Sequence, residues 1–159
     1  MKGATMRKRT LTPLIAALIA APTFLLSTPT IASNGFKCPK AMALALQVGF
    51  KKKDLPTLDY IIHRESRCSP KSIGYNRRKD GTVWSTDYGY TQINNYSWIT
   101  YLRDRKIVRK SSDLLNPFTN LKAAKLLYDY SLEHGGNPWR QWHTKTWKGS
   151  GKKWRTPTR

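Results

Sequence analysis

Between Pro39 and Gly49 small and apolar residues crowd together, among them Ala41, Leu44, Ala45 and Val48. Gly49 then supplies a helix stop, so this stretch predicts a first helix. A basic connector, Lys51 to Lys53, gives way to Asp54 and Pro56, residues that suit a helix start. Leu58, Ile61 and Ile62 then fall at i, i+3 and i+4 and mark one face of a second helix. The segment from Ile73 to Thr91 is rich in Gly, Asn, Asp, Ser and Thr and carries Asp80-Gly81 as a turn signal, which predicts a small hairpin. Tyr96 to Arg105 reads as a short helix with Trp98, Ile99 and Leu102 inward. Asn116-Pro117 opens a clearer one, in which Leu121, Ala124 and Tyr128 keep helical spacing until Gly135-Gly136. The expected class is therefore α+β and predominantly helical, with the small hairpin beside the helices.

The helix containing Leu58, Ile61 and Ile62 has one unexpected member. The i+7 position of its apolar stripe is Glu65, so a carboxylate projects from the face that should be buried. Withdrawal from water disfavours the charged form, and such a group can hold a proton to donate near neutral pH. The competing reading places Glu65 at the rim of the stripe, solvated or paired with Arg64 or Arg67. Only one other glutamate exists, Glu133, next to the glycines that end its helix, where solvent exposure is expected.

The N-terminal segment has a basic start (Lys2, Arg7, Lys8, Arg9), an apolar run from Leu11 to Leu26 and small residues ending at Ala32. That is the pattern of a signal peptide spanning residues 1–32. The run is short for a membrane anchor and contains Pro13 and Pro22. The rest of the chain divides into a domain over 33–142 and a basic, Trp-rich tail over 143–159. In that end region Trp139, Trp142, Trp147 and Trp154 alternate with cations; the first two are expected in the core and the others are left open between sugar stacking and a loose tail.

An exported chain is secreted or periplasmic, and an oxidising compartment would join Cys38 to Cys68, the only cysteines; the alternative is two buried free thiols. Lys and Arg total 29 against 9 Asp and Glu, and without the leader the excess is still about +16. Such a charge calls for a polyanionic neighbour, either nucleic acid or an anionic envelope polymer, and export favours the envelope over any specific nucleic acid. A monomer is expected.

Cleaving a glycosidic bond takes one protonated carboxyl near the leaving oxygen and a second group facing the oxocarbenium-like centre. Glu65 suits the first role and Asp87, within Ser85-Thr86-Asp87-Tyr88-Gly89, the second, with Asp80 in reserve. His63, His134 and His143 lack metal-ligand spacing, and no phosphate loop or Ser-His-Asp order occurs, so neither metal nor cofactor is expected.

Glu65-Ser66 followed by Ser85-Thr86-Asp87-Tyr88-Gly89-Tyr90-Thr91-Gln92-Ile93-Asn94 closely resembles the active-site region of chicken-type lysozymes. The surrounding frame is Cys38, Arg64-Glu65-Ser66-Arg67-Cys68 and Asp113-Leu114-Leu115-Asn116-Pro117 with Asn120-Leu121. It is more similar to SLT-type lytic transglycosylases of bacteria and phages. Together these similarities span most of residues 38–142. The resemblance implies a lysozyme-like fold, with a cleft between the helical part and a small β-hairpin lobe, and cleavage of peptidoglycan glycan strands between N-acetylmuramic acid and N-acetylglucosamine. It makes Glu65 the general acid and Asp87 the second carboxylate. It places Gln92, Asn94 and Trp98 along the sugar cleft, and Ser66 and Tyr88 with them as substrate-binding residues. Gln92 and Asn94 have an alternative role in satisfying loop backbone, and Trp98 one in the core. The interval from Glu65 to Asp87 is longer than in animal lysozymes, their other cysteines are missing, and Tyr90-Thr91 replaces an aliphatic pair. Asp87 leans toward hydrolysis and the bacterial frame toward a 1,6-anhydro product, and both outcomes stand at this point. The rival classes are a non-catalytic envelope binder and an exported nucleic-acid binder.

Overall fold

In a computed structural model of the chain, the structure describes residues 35–134 and 136–142 with their side chains, and the backbone of Trp147–Gly149 and Lys152–Trp154. The leader read over 1–32, His143, and the side chains of Trp147 and Trp154 lie outside the described residues.

The helices are α1 (Pro39–Gln47), α2 (Leu55–Ser66), α3 (Asn95–Asp104) and α4 (Pro117–Glu133), with 3-10 turns at Lys52–Asp54, Ser111–Leu115 and Arg140–Trp142. Prolines stand in the first turns of α1, α2 and α4, where no intrahelical N–H is lost. Gly49, at φ +98°, ends the α1 region as its position predicted. The stripe of α2 is buried as read: Leu58, Ile61 and Ile62 have no exposed surface. Ala41, Met42 and Ala45 of α1 and Leu121, Ala124 and Leu127 of α4 close the same core. Each large aliphatic side chain buried there contributes about 1.5–3 kcal/mol.

The polar lobe is a three-stranded antiparallel sheet in the order β1 (Ile73–Arg77), β2 (Val83–Tyr88) and β3 (Ile93–Asn94). Its first two strands form the expected hairpin. The Asp80 carboxylate tightens the turn by accepting from the Thr82 amide and hydroxyl at 2.9 and 2.6 Å, and Gly81 takes φ +84°. These two hydrogen bonds hold the Asp80 carboxyl below its ordinary range. Locked in the exposed turn, Asp80 stands apart from the residues that border the cleft beside the sheet. The short third strand was not legible from periodicity, and it places Asp87 in the middle of the sheet, opposite Gly74 on one side and Asn94 on the other.

Three ties fix this lobe and the segment leading into α1 to the helical body. Cys38 and Cys68 form a disulfide between the entry to α1 and the exit of α2. Buried Asp59 accepts from the amides of Lys37 and Cys38 at 3.0 and 2.8 Å, holding the segment that leads into α1. Asn120, without exposed surface on α4, donates to the carbonyls of Tyr88 and Leu114 and accepts from the amide and hydroxyl of Thr91. The turn between β2 and β3 thus takes four hydrogen bonds from one side chain, counting the Leu114 carbonyl that Asn120 ties to it. Gly89 sits within it at φ +73°, where a Cβ would overlap both Asn120 and the Leu114 carbonyl.

Candidate active site

A cleft of about 340 Å³ lies between the end of α2, the sheet and the Arg140–Trp142 turn; Glu65, Asp87, Gln92, Asn94 and Trp98 all border it. Five of the residues singled out from sequence are therefore brought together from α2, β2, the turn before β3, β3 itself and α3. Trp139 and Trp142 are buried, as expected, and Trp142 forms part of the cleft wall.

Glu65 occupies the last turn of α2, directly after the buried stripe, and its side chain is 25% exposed. It is neither in bulk water nor wholly enclosed. Arg64 binds its Oε1 through both Nε, at 3.1 Å, and Nη2, and Nη2 also donates to the Trp142 carbonyl. The observed pairing with Arg64 is the one named in the competing reading of this glutamate, at the rim of the stripe. Among the described residues no hydrogen bond reaches Oε2. The Trp142 indole in turn donates to the Thr91 carbonyl at 2.8 Å, so a continuous set of contacts runs from Asn120 through Thr91 and Trp142 to Arg64 and Glu65.

Asp87 is held by two amides: Asn94 Nδ2 donates to Oδ1 at 2.7 Å and Asn76 Nδ2 to Oδ2 at 2.8 Å. The register explains both contacts. Asn94 is the direct cross-strand partner of Asp87, while Asn76 lies on the same sheet face, two residues beyond the partner on the other strand. Asn94 also donates to Ser85 Oγ, and its carbonyl oxygen caps α3 by accepting from the Ser97 amide. One asparagine therefore orients the second carboxylate and starts the neighbouring helix. Gly74, opposite Asp87, leaves room for the Gln92 amide, whose Oε1 would stand 2.8 Å from a Cβ added there.

The remaining predicted residues separate into two groups. Trp98 reaches the cleft and also packs edge-on against Tyr101 and Tyr130, so it serves wall and core together, and of the inward positions read for α3 only Leu102 is fully buried. Gln92 borders the cleft, yet its amide nitrogen donates to the carbonyls of Ser72 and Gly89. Ser66 and Tyr88 are not brought to the cleft edge. The Ser66 hydroxyl, buried, returns to the Ile62 carbonyl one turn earlier in α2. The Tyr88 ring packs against the core while its carbonyl goes to Asn120. Glu133 is exposed, His63 meets the Arg67 guanidinium one turn on, and His134 meets the Tyr130 carbonyl and ring; neither histidine borders the cleft.

Asn76, Asn120 and Gln141 carry parts of the site that sequence reasoning missed. Asn120 had a usable signal, the one already exploited at Glu65: a polar residue beside Leu121 on the buried face of a helix.

A helical body and a small antiparallel lobe on either side of a polar cleft with two carboxylates define an α+β domain of the lysozyme-like class. No family model matches the chain. Lysozyme c-1 of Anopheles gambiae is 38% identical over 111 residues, covering 67% of this chain and 71% of that protein. A peptidoglycan-binding-like protein of Escherichia coli O157:H7 is 41% identical over 68 residues, which cover 42% of this chain and 40% of that protein. A solved lysozyme from Litopenaeus vannamei aligns with 64% of this chain and 74% of its own, with a TM-score of 0.47 and 26% identity. By its likeness to the mosquito protein, the chain belongs to the lysozyme family.

Proposed function

We propose that the protein cleaves the glycan strands of bacterial peptidoglycan at the bond from C1 of N-acetylmuramic acid to O4 of N-acetylglucosamine, with Glu65 as the proton donor. The observation that carries this reading is the position of Glu65 at the end of a buried helical stripe, sharing a cleft with Asp87. Protonated Glu65 gives its proton to the glycosidic oxygen, the C1–O4 bond breaks, and the electron pair leaves with the N-acetylglucosamine hydroxyl. Asp87, oriented by Asn76 and Asn94, opposes the positive charge developing at the muramyl ring. The Glu65 carboxylate then removes a proton from the incoming nucleophile. If that nucleophile is water the product is a reducing muramyl end, as in hydrolysis. If it is the muramyl 6-hydroxyl the product is a 1,6-anhydro end, as in lytic transglycosylation.

Purified sacculi digested with the protein and analysed by mass spectrometry of the released muropeptides test the reading. Anhydro ends are lighter than reducing ends by one water and decide between the two outcomes. Glu65→Gln is expected to abolish release with the thermal midpoint unchanged; release of soluble fragments by that variant refutes the role given to Glu65. The same reading takes residues 33–142 as the catalytic domain, exported by a leader over 1–32 and followed by a basic tail over 143–159. A disulfide at Cys38–Cys68 fits a secreted or periplasmic monomer.

The Arg64–Glu65 ion pair and the strong positive charge favour a second reading, a cleft that holds envelope polymer without cutting it. Binding to sacculi that survives Glu65→Gln, together with no release by the unaltered protein, would establish that alternative.

A further inference from the structure

Glu65 and Asp87 border one cleft but are held in different ways. Asp87 accepts through both oxygens, from Asn94 and Asn76. Glu65 accepts through Oε1 alone, and among the described residues its Oε2 has no hydrogen-bond partner. The difference lies in one side chain, that of Arg64. Apart from the two acids, it is the one charged residue bordering this cleft among the described residues.

The contact is not one that a helix makes by itself. Neighbouring positions of an α-helix point about 100° apart and do not face one another. Arg64 is brought round to Glu65 by partners elsewhere. Its Nη2 also donates to the Trp142 carbonyl, and its guanidinium lies 5.8 Å from the centre of the Tyr60 ring, one turn earlier in α2. Trp142 is fixed in turn by the bond from its indole to the Thr91 carbonyl at 2.8 Å. The guanidinium is thus held between the last turn of α2 and the Arg140–Trp142 turn. A guanidinium has donors only. While Nε, at 3.1 Å, and Nη2 both donate to Oε1, that oxygen is an acceptor and does not carry the acid's proton. The proton is left to Oε2.

We propose that Arg64 is the positioning residue for Glu65: by occupying Oε1 it assigns the proton to Oε2 and fixes the plane of the carboxyl, so that Oε2 meets the glycosidic oxygen. The inference rests on the peptidoglycan reading and deepens it at the same site. Oε2 gives its proton to the glycosidic oxygen as the C1–O4 bond breaks, with the bonding pair leaving on O4, and it later takes a proton from the incoming hydroxyl. Oε1 stays on Arg64 throughout, and its two N–H bonds become charged on both sides once the carboxylate forms. Arg64 touches no reacting atom and acts through Glu65.

Steady-state cleavage of soluble, un-cross-linked peptidoglycan strands by the full chain and its Arg64 variants tests this role. Arg64→Met keeps a long side chain with good helix propensity but has no donor. Its kcat should fall about ten- to hundredfold with KM within about twofold of the parent's, the scale of loss when a reacting group is held out of line. Millimolar guanidinium should restore part of the lost rate, and urea at the same concentration should not. Arg64→Lys, a compact cation without the planar fork, should fall between Arg64→Met and the parent. In the Glu65→Gln background, adding Arg64→Met should leave the affinity for the same strands unchanged. A kcat at the parent level, a loss that lies in KM, or a loss that neither guanidinium nor lysine reduces overturns the proposal. So does weaker strand binding in the Glu65→Gln background, which would make Arg64 a substrate contact. The unaltered chain separates the two failures: if it cleaves the strands and Arg64→Met matches it, only the role of Arg64 is removed. If the unaltered chain releases nothing, the peptidoglycan reading falls and this role with it.

Discussion

Replacing Asn120 with alanine should damage the molecule well beyond what its size suggests. Its Nδ2 donates to the carbonyls of Tyr88 and Leu114 at 2.9 and 3.0 Å, and its Oδ1 accepts from the amide and hydroxyl of Thr91 at 3.1 and 2.9 Å. All its side-chain capacity is used and none of its surface is exposed. Alanine leaves two carbonyls, one amide and one hydroxyl without these partners in a buried turn. At a net worth of about 1 kcal/mol per hydrogen bond, and more for each buried group left unpaired, the loss comes to about 3–5 kcal/mol. That is a large part of the roughly 5–15 kcal/mol that holds an ordinary domain together. Urea denaturation followed by circular dichroism measures it as a lower midpoint at unchanged slope. Thr91→Val is the internal control: it removes only the hydroxyl contact and should cost about 1 kcal/mol. If Asn120→Ala costs no more than Thr91→Val, the turn does not depend on Asn120 and the reasoning fails.

The same network of contacts has other measurable consequences. Asn94→Asp keeps the cap on α3 but sets a second carboxylate against Asp87, which sits 2.7 Å from the present amide. Two carboxylates so close share a proton, so the folded-state value of the pair rises above its unfolded one. The variant should match the parent at about pH 4 and lose stability as pH rises toward 8, whereas Asn94→Ala should lose about 1 kcal/mol of cap at every pH. Melting curves across that range distinguish them. Replacing Cys38 and Cys68 together by serine opens a loop with a sequence separation of 30, and chain entropy predicts about 3–4 kcal/mol of lost stability, read from denaturation with and without reductant. The Tyr128 phenol is held above its ordinary range, first by burial and then by the Asp54 carboxylate that it contacts at 3.1 Å. Its raised folded value means that its contribution is complete below about pH 10 and is lost as pH climbs further, and Tyr128→Phe should flatten that alkaline decline in denaturation midpoint.

Much of the frame is local and was therefore legible. Leu58, Ile61 and Ile62 fix the inward face of α2 by spacing alone, which also positions Glu65, and Asp80-Gly81 and Asn116-Pro117 act on their own neighbours. What escaped depends on parts of the chain that meet only after folding. β3 has two residues, too few for a period, and exists because β2 pairs with it. Whether Glu65 was solvated or paired turned on Arg64, whose Nη2 is drawn to a carbonyl 78 residues away. Ser66 belongs to the motif by position, yet its hydroxyl finds a nearer acceptor one helical turn back. Gln92 takes φ 48°, which brings its amide back to Gly89, a conformation no neighbouring residue type announces.

The tie between Arg64 and the carbonyl of Trp142 bears on the order in which the cleft is assembled. A polypeptide emerges from the ribosome beginning with its first residue, and α2 can acquire its shape while the later helices are still being made. The wall opposite Glu65 arrives only with Trp142, whose indole must also find Thr91. Nascent chains shorter than that point carry Glu65 and Asp87 beside an unfinished groove, so the cleft takes shape only after both carboxylates have long been in place.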